Sequence, residues 1–147
     1  MTEKQNLRTL VEKVTSLPGY TSSIGTKVID VDKGMVELEL DRSPNLLQFN
    51  GFFHGGVISG LADHAAGGAA TTMLPAGRIA VTIDLHVNFL KPAKGEKLTA
   101  RASVTQPGST ISVVQVNITT TNGSQSDQCA IATVTLRSVD MPAGSQN

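Results

Sequence analysis

A single cysteine, no surplus of either charge and no long unbroken apolar run define this chain by exclusion. Cys129 alone cannot close an internal disulfide, and in its strand-like run it reads as a small buried hydrophobe. Twelve basic residues balance twelve acidic ones, which argues against nucleic acid, whose binders carry a basic excess. No stretch approaches the ~20 residues of a membrane helix without a charge inside it, so no membrane partner is expected. Residues 1 to 8 have no apolar core and do not read as a signal peptide. His54, Asp63, His64, His86 and Cys129 are present, but never at the short spacings of zinc sites, and no metal is expected. The Gly-x-Ser-x-Gly elbow of serine hydrolases is also missing. What remains is a cytoplasmic protein of one domain, 147 residues long.

What the chain does have is periodicity. Leu7, Leu10, Val11 and Val14 recur at helical spacing over residues 3 to 16, with Thr2 as N-cap and Pro18-Gly19 as stop. This helix is expected on the outside of the domain. Residues 28 to 31 and 35 to 40 read as a hairpin around Asp32-Lys33-Gly34. In its second strand Val36, Leu38 and Leu40 face one way and Glu37 and Glu39 the other. A loop over 41 to 53 leads into an apolar run from His54 to Met73, too long for a strand and therefore a helix, closed by Pro75 and Gly77. Residues 79 to 89 alternate, with Val81, Ile83, Leu85, Val87 and Phe89 against Thr82, Asp84, His86 and Asn88. Strands follow at 97 to 105, 110 to 120 and 126 to 139. A slip of the apolar phase between Val113 and Val114 predicts a β-bulge in the middle one. The tail from Met141 to Asn147 is small and polar. Strands joined by tight turns after a helix imply an antiparallel sheet and an α+β class. The long helix has almost no polar face, so the sheet must cover it.

Asp63 is the odd residue in that helix. Between Gly55 and Leu74 only Asp63 and its neighbour His64 ionise. An unpaired carboxylate in a buried helix is costly, so Asp63 is a candidate for chemistry. His64 points about 100° away from it and reads as a packing or interface residue. His86, on the polar side of its strand, needs no special role.

The run Gln48-Phe-Asn50-Gly51-Phe-Phe53-His54-Gly55-Gly56, the following Leu61-Ala-Asp63, and Val81 to Ala93 with its Asn-Phe-Leu-Lys-Pro-Ala end carry a resemblance. They resemble the hotdog-fold acyl-CoA thioesterases of the PaaI-like, 4-hydroxybenzoyl-CoA thioesterase group. The similarity runs from about residue 28 to 139. It implies a single hotdog domain over 1–147, with a core at about 22–139 and the helix at 3–16 outside it. It implies Asp63 as the acid, Gly55 as the amide that polarises the thioester carbonyl, His54 before it, Gln48 as the loop polar residue and Thr82 as a strand hydroxyl. Gly56, Asn50, Phe53, Gly67 and Lys91 fall at substrate-binding positions. No cofactor is implied, since CoA is part of the substrate.

A thioester needs its carbonyl oxygen stabilised and a nucleophile delivered. A helix N-terminus offers unpaired N–H groups, and Gly55 and Gly56 leave them accessible. Asp63 would act as general base on water, or attack directly to give an anhydride. Eight residues separate Gly55 from Asp63, roughly 12 Å on a continuous helix. One carbonyl cannot reach both, so either the helix is broken or two subunits share the site. The family pattern is the second: a homodimer, in a dimer of dimers. The acyl pocket is expected from Leu46, Leu47, Phe49, Phe52, Phe53 and residues of the partner helix, and a basic rim for CoA phosphates from Lys91, Lys94, Arg101 and Arg137. The rivals are a hotdog hydratase or dehydratase on acyl-CoA or acyl carrier protein, and a non-catalytic acyl-CoA-binding protein.

Overall fold

A computed structural model describes residues 1–144. The chain opens with α1 (Glu3–Ser16), where Thr2 and Gln5 close a reciprocal capping box. One short turn of helix, α2 (Tyr20–Ser23), precedes β1 (Lys27–Asp32) and β2 (Met35–Asp41). Gly34 turns between them at φ +76°, a left-handed conformation that glycine adopts freely. A 3-10 turn (Pro44–Leu46) leads to the long helix α3 (Gly55–Thr71). Then come β3 (Arg78–Phe89), β4 (Lys97–Gln106), β5 (Ile111–Asn122) and β6 (Gln125–Asp140). The strands form one antiparallel sheet in the order β1-β2-β4-β5-β6-β3.

The sheet wraps α3. Its inner face supplies Val36, Leu38, Leu40, Leu98, Ala100, Val114, Val116, Ile118, Val134 and Leu136, all buried. They pack on Ile58, Leu61, Ala62, Ala65, Ala66, Ala69 and Ala70 of α3. That set repeats at i, i+3, i+4, a single helical stripe. Sheet and helix approach closely because the stripe is mostly alanine. A Cβ on Gly68 would stand 3.3 Å from Val36 Cγ2.

Several expectations change here. The sheet covers only the alanine stripe. The opposite side of α3, with Gly56, Gly60, Asp63 and Gly67, is exposed or half-exposed in the single chain. That side is small rather than polar, so composition concealed a real amphipathicity. Nor is α1 simply outside. Its Val11 and Thr15 are buried, and Thr15 Oγ1 lies 2.9 Å from His64 Nε2 of α3. Tyr20 lies against Gly60, where a Cβ would stand 2.5 Å from its hydroxyl.

The bulge expected in β5 belongs to β4. Ser112, Val114, Val116, Ile118 and Thr120 alternate inward without interruption. The register jumps from Val104↔Val114 to Gln106↔Val113, leaving Thr105 as the extra residue. A second bulge breaks the clean alternation read in β3. Thr82 pairs with Leu136 and Asp84 with Thr135, so Ile83 is extra. Cross-strand partners share a face. Thr82, Leu85, Val87 and Phe89 therefore sit on the helix side with Leu136, Val134, Ala132 and Ala130, while Val81 faces outward opposite Arg137.

Candidate active site

The expected site residues of α3 fall in two places. The first is its N-terminus. His54 N–H donates to Leu46 O at 2.9 Å, and its Nδ1 accepts from Gly56 N–H at 2.9 Å. Nδ1 is therefore unprotonated, and the ring acts as the N-cap. Val57 and Ile58 N–H both donate to His54 O. Of the first-turn amides only that of Gly55 finds no acceptor among the described residues. It borders a cavity of about 430 Å³ lined by Gln48, Phe89, Leu90, Lys91 and Pro92 among others. Gln48 donates from Nε2 to Phe53 O at 3.4 Å, which leaves its side-chain oxygen free to act. A Cβ on Gly55 would meet the Phe89 ring at 3.4 Å, so glycine keeps the amide open beside an aromatic wall.

The second is Asp63. It is half-buried on the open side of α3, and its Oδ1 accepts from Thr82 Oγ1 at 2.7 Å. No lysine, arginine or histidine forms an ion pair with it among the described residues. The carboxylate is thus neither sealed in a core nor unpartnered, as the sequence had implied. It is oriented by one neutral hydroxyl, and its second oxygen stays available. The bulge at Ile83 makes this possible by turning Thr82 inward. His64 turns away to Thr15, and burial pushes its pKa below the usual histidine value against the opposing pull of the Asp63 charge.

The structure brings Gln48, Gly55 and Lys91 to one cavity and Asp63 and Thr82 to another place on the same helix. Other expected site residues fall elsewhere. The Gly56 amide is taken by His54 and is no open donor. Asn50 accepts from Phe52 N–H within its own exposed turn. Phe53 is 1% exposed and belongs to the core, although it touches the Gly55 cavity. Leu46 is equally buried, Phe49 is fully exposed, and Phe52 lies beneath Lys94 Nζ at 5.3 Å. Of these side chains only Phe53 lines the Gly55 cavity of the single chain. Gly67 borders a separate cavity between α1 and α3. Lys91 lies 3.7 Å from Asp127, and Arg101 is paired with Glu37 at 2.8 Å. The wall formed by Phe89, Leu90 and Pro92 was not foreseen. Its sequence signal was the Asn-Phe-Leu-Lys-Pro-Ala end of the strand, and the structure leaves Phe89 55% and Leu90 50% exposed.

A model of the thioesterase superfamily matches residues 50–126, a little over half the chain. The chain belongs to the thioesterase superfamily. Its chemistry is thioester hydrolysis and its architecture is the hotdog fold. A putative esterase of Halobacterium salinarum is 35% identical over 117 residues, 76% of each chain. A 1,4-dihydroxy-2-naphthoyl-CoA hydrolase of Listeria monocytogenes is 29% identical over 101 residues, 69% of this chain and 82% of that one. The crystal structure of a thioesterase family protein from Silicibacter pomeroyi superposes with a TM-score of 0.88 at 28% identity. That superposition covers 92% of this chain and 99% of the other. The thioesterase match spans the helix N-terminus, Asp63 and Thr82. Among the described residues no helix is long and apolar enough to cross a membrane, and no cluster of three metal-ligating side chains occurs.

Proposed function

We propose that this thioesterase hydrolyses an acyl-CoA ester in a site shared by two subunits. Asp63 of one subunit acts on water or directly on the carbonyl carbon, and the Gly55 amide of the partner subunit receives the carbonyl oxygen. One observation carries this reading. A carboxylate held by Thr82 and an unfilled amide lie eight residues apart on one uninterrupted helix of 17 residues. That is roughly 12 Å, too far for one carbonyl group. With no break in the helix, a second copy is the simple way to bring the two together.

The edge of the sheet supports the same assembly. β3 is an edge strand, and it exposes Val81, Ile83 and Leu85. An exposed apolar edge invites pairing with another strand. A second β3 alongside it would cover these residues and the open side of α3 together.

In the water route, Asp63 takes a proton as the oxygen of water bonds to the thioester carbon. The carbonyl electrons move onto oxygen, where the Gly55 amide and the positive end of α3 stabilise them. Collapse expels the CoA thiolate, which takes up a proton, and the free acid leaves. In the anhydride route an Asp63 oxygen attacks the carbonyl carbon and expels the CoA thiolate, and water then hydrolyses the anhydride to free the acid and restore the carboxylate. Thr82 holds the Asp63 carboxylate in place in either case through its bond to Oδ1. His54 shapes the helix start, its Nδ1 accepting from the Gly56 amide. Gln48 supplies a polar group beside the Gly55 amide. The hydratase reading is weaker, because the matching family and a CoA hydrolase among the relatives favour hydrolysis.

Asp63→Asn is the test. Hydrolysis of acyl-CoA should fall by a factor on the order of a thousand or more, as for loss of a base or nucleophile. Binding of the same ester, measured by calorimetry, should change little. Turnover near the wild-type rate would overturn the mechanism.

A further inference from the structure

A cavity of about 530 Å³ lies between α1 and the second half of α3 and is lined by neither Gly55 nor Asp63. We infer that it receives the tail of the substrate's acyl group, and that this tail is a medium-length aliphatic chain. The inference rests on Asp63 as the point of attack. Gly67 of the cavity floor is one helical turn beyond Asp63, about 6 Å along the axis. Ala80 of its wall is the inward neighbour of Thr82, two residues back along β3. The cavity thus opens about one turn from the Asp63–Thr82 pair, where an acyl chain continuing past the reacting carbonyl arrives.

Its lining selects the chemistry. Leu10, Val14 and Leu17 come from α1, and Gly67 and Ile79 face them. Two of the polar groups along it are engaged. Thr71 Oγ1 accepts from Ala80 N–H at 3.1 Å, and His64 Nε2 is bonded to Thr15. Lys13, half-exposed, can turn its charge to water along an apolar stem. An aliphatic chain is stabilised against such a mostly apolar lining by burial alone, whereas a polar ring gains less there. The α1 wall from Leu10 to Leu17 runs roughly 10 Å, a length suited to a chain rather than a single ring. The roof is fastened. Arg8 donates to the carbonyls of Val28 and Ile29 at 3.0 Å each, and Thr15 meets His64. So α1 acts as the gauge of chain length.

Gly67 allows a clean test, since a Cβ there meets nothing within 4 Å. In Gly67→Leu the new side chain enters the cavity without touching the core. The readout is the ratio of kcat/KM for decanoyl-CoA to that for butyryl-CoA. It should fall by at least about tenfold in Gly67→Leu, the scale of a few methylenes in a hydrophobic pocket. Leu10→Ala, which enlarges the cavity from the α1 side, should shift preference toward longer chains. A ratio unchanged in both folded variants, or a wild-type kcat/KM for benzoyl-CoA above that for decanoyl-CoA, would overturn the inference. Failure of the mechanism itself is seen separately, as hydrolysis that survives Asp63→Asn.

Discussion

Thr82, His64 and Cys129 each act through one identifiable contact or environment. Thr82 donates to a carboxylate, and a hydrogen bond to a charged group contributes about 1.5–3 kcal/mol. Thr82→Val should therefore lower kcat by roughly ten- to a hundredfold with little change in KM, and Thr82→Ser should restore it. Steady-state kinetics on the three proteins separates this positioning role from a loss of fold. His64 is held neutral by burial, with its pKa below the ordinary 6.5. The unfolded chain then binds a proton that the folded chain refuses, between the lowered value and 6.5. Stability is fully present above 6.5 and is lost as pH falls through the depressed folded value. Thermal melts from pH 7.5 to 5 should show this loss, and His64→Gln should flatten it. Burial pushes the Cys129 thiol up to about 11. The native protein should not react with a chromogenic disulfide reagent at pH 8, whereas the unfolded protein should react at once.

At the scale of elements, α3 explains most of the sequence's oddities. Its glycines are not equivalent. Gly67 has open space where a Cβ would go, so Gly67→Ala should gain about 1 kcal/mol from helix propensity, or roughly 2–4 °C in Tm. Gly68 has the fully buried Val36 3.3 Å away, and Val36 has no room to retreat. Gly68→Ala should therefore gain nothing or lose stability, as overpacked sites do. Differential scanning calorimetry of the pair checks the contrast. The helix itself was legible from its length, and its start from His54-Gly55-Gly56. The identity of its two faces was not, because alanine and glycine carry almost the same hydrophobic signal. The bulges were equally hidden. Thr82 reads as outward by strict alternation, and only the register with β6 shows that Ile83 is extra and Thr82 turns inward.

For the whole molecule, the question is how Gly55 and Asp63 meet. Mixing subunits answers it. In a dimer of Asp63→Asn with Gly55→Val, one shared site contains both wild-type groups and the other contains neither. Random reassembly of equal amounts should restore about a quarter of wild-type activity from two inactive parents, as two-fold symmetry requires. Sites complete within one subunit would give none. If two subunits share the site, replacing Ile83 of the exposed β3 edge by Asp should leave monomers in sedimentation analysis and remove activity with them.

The sequence by itself determined the architecture and the chemistry's raw materials. The lone Asp63, the His54-Gly55-Gly56 helix start and the eight-residue spacing between amide and acid all follow from the order of residues. The secondary-structure periods follow too, because burial of one face imposes them. Tertiary structure decided what those residues touch. Thr82 reaches Asp63 through a bulge, His54 spends its ring nitrogen on Gly56, and α1 closes a cavity over Gly67. Each depends on contacts between residues distant in sequence or on one inserted residue in a strand. Local pattern cannot encode either, since register and packing are settled only when the elements meet.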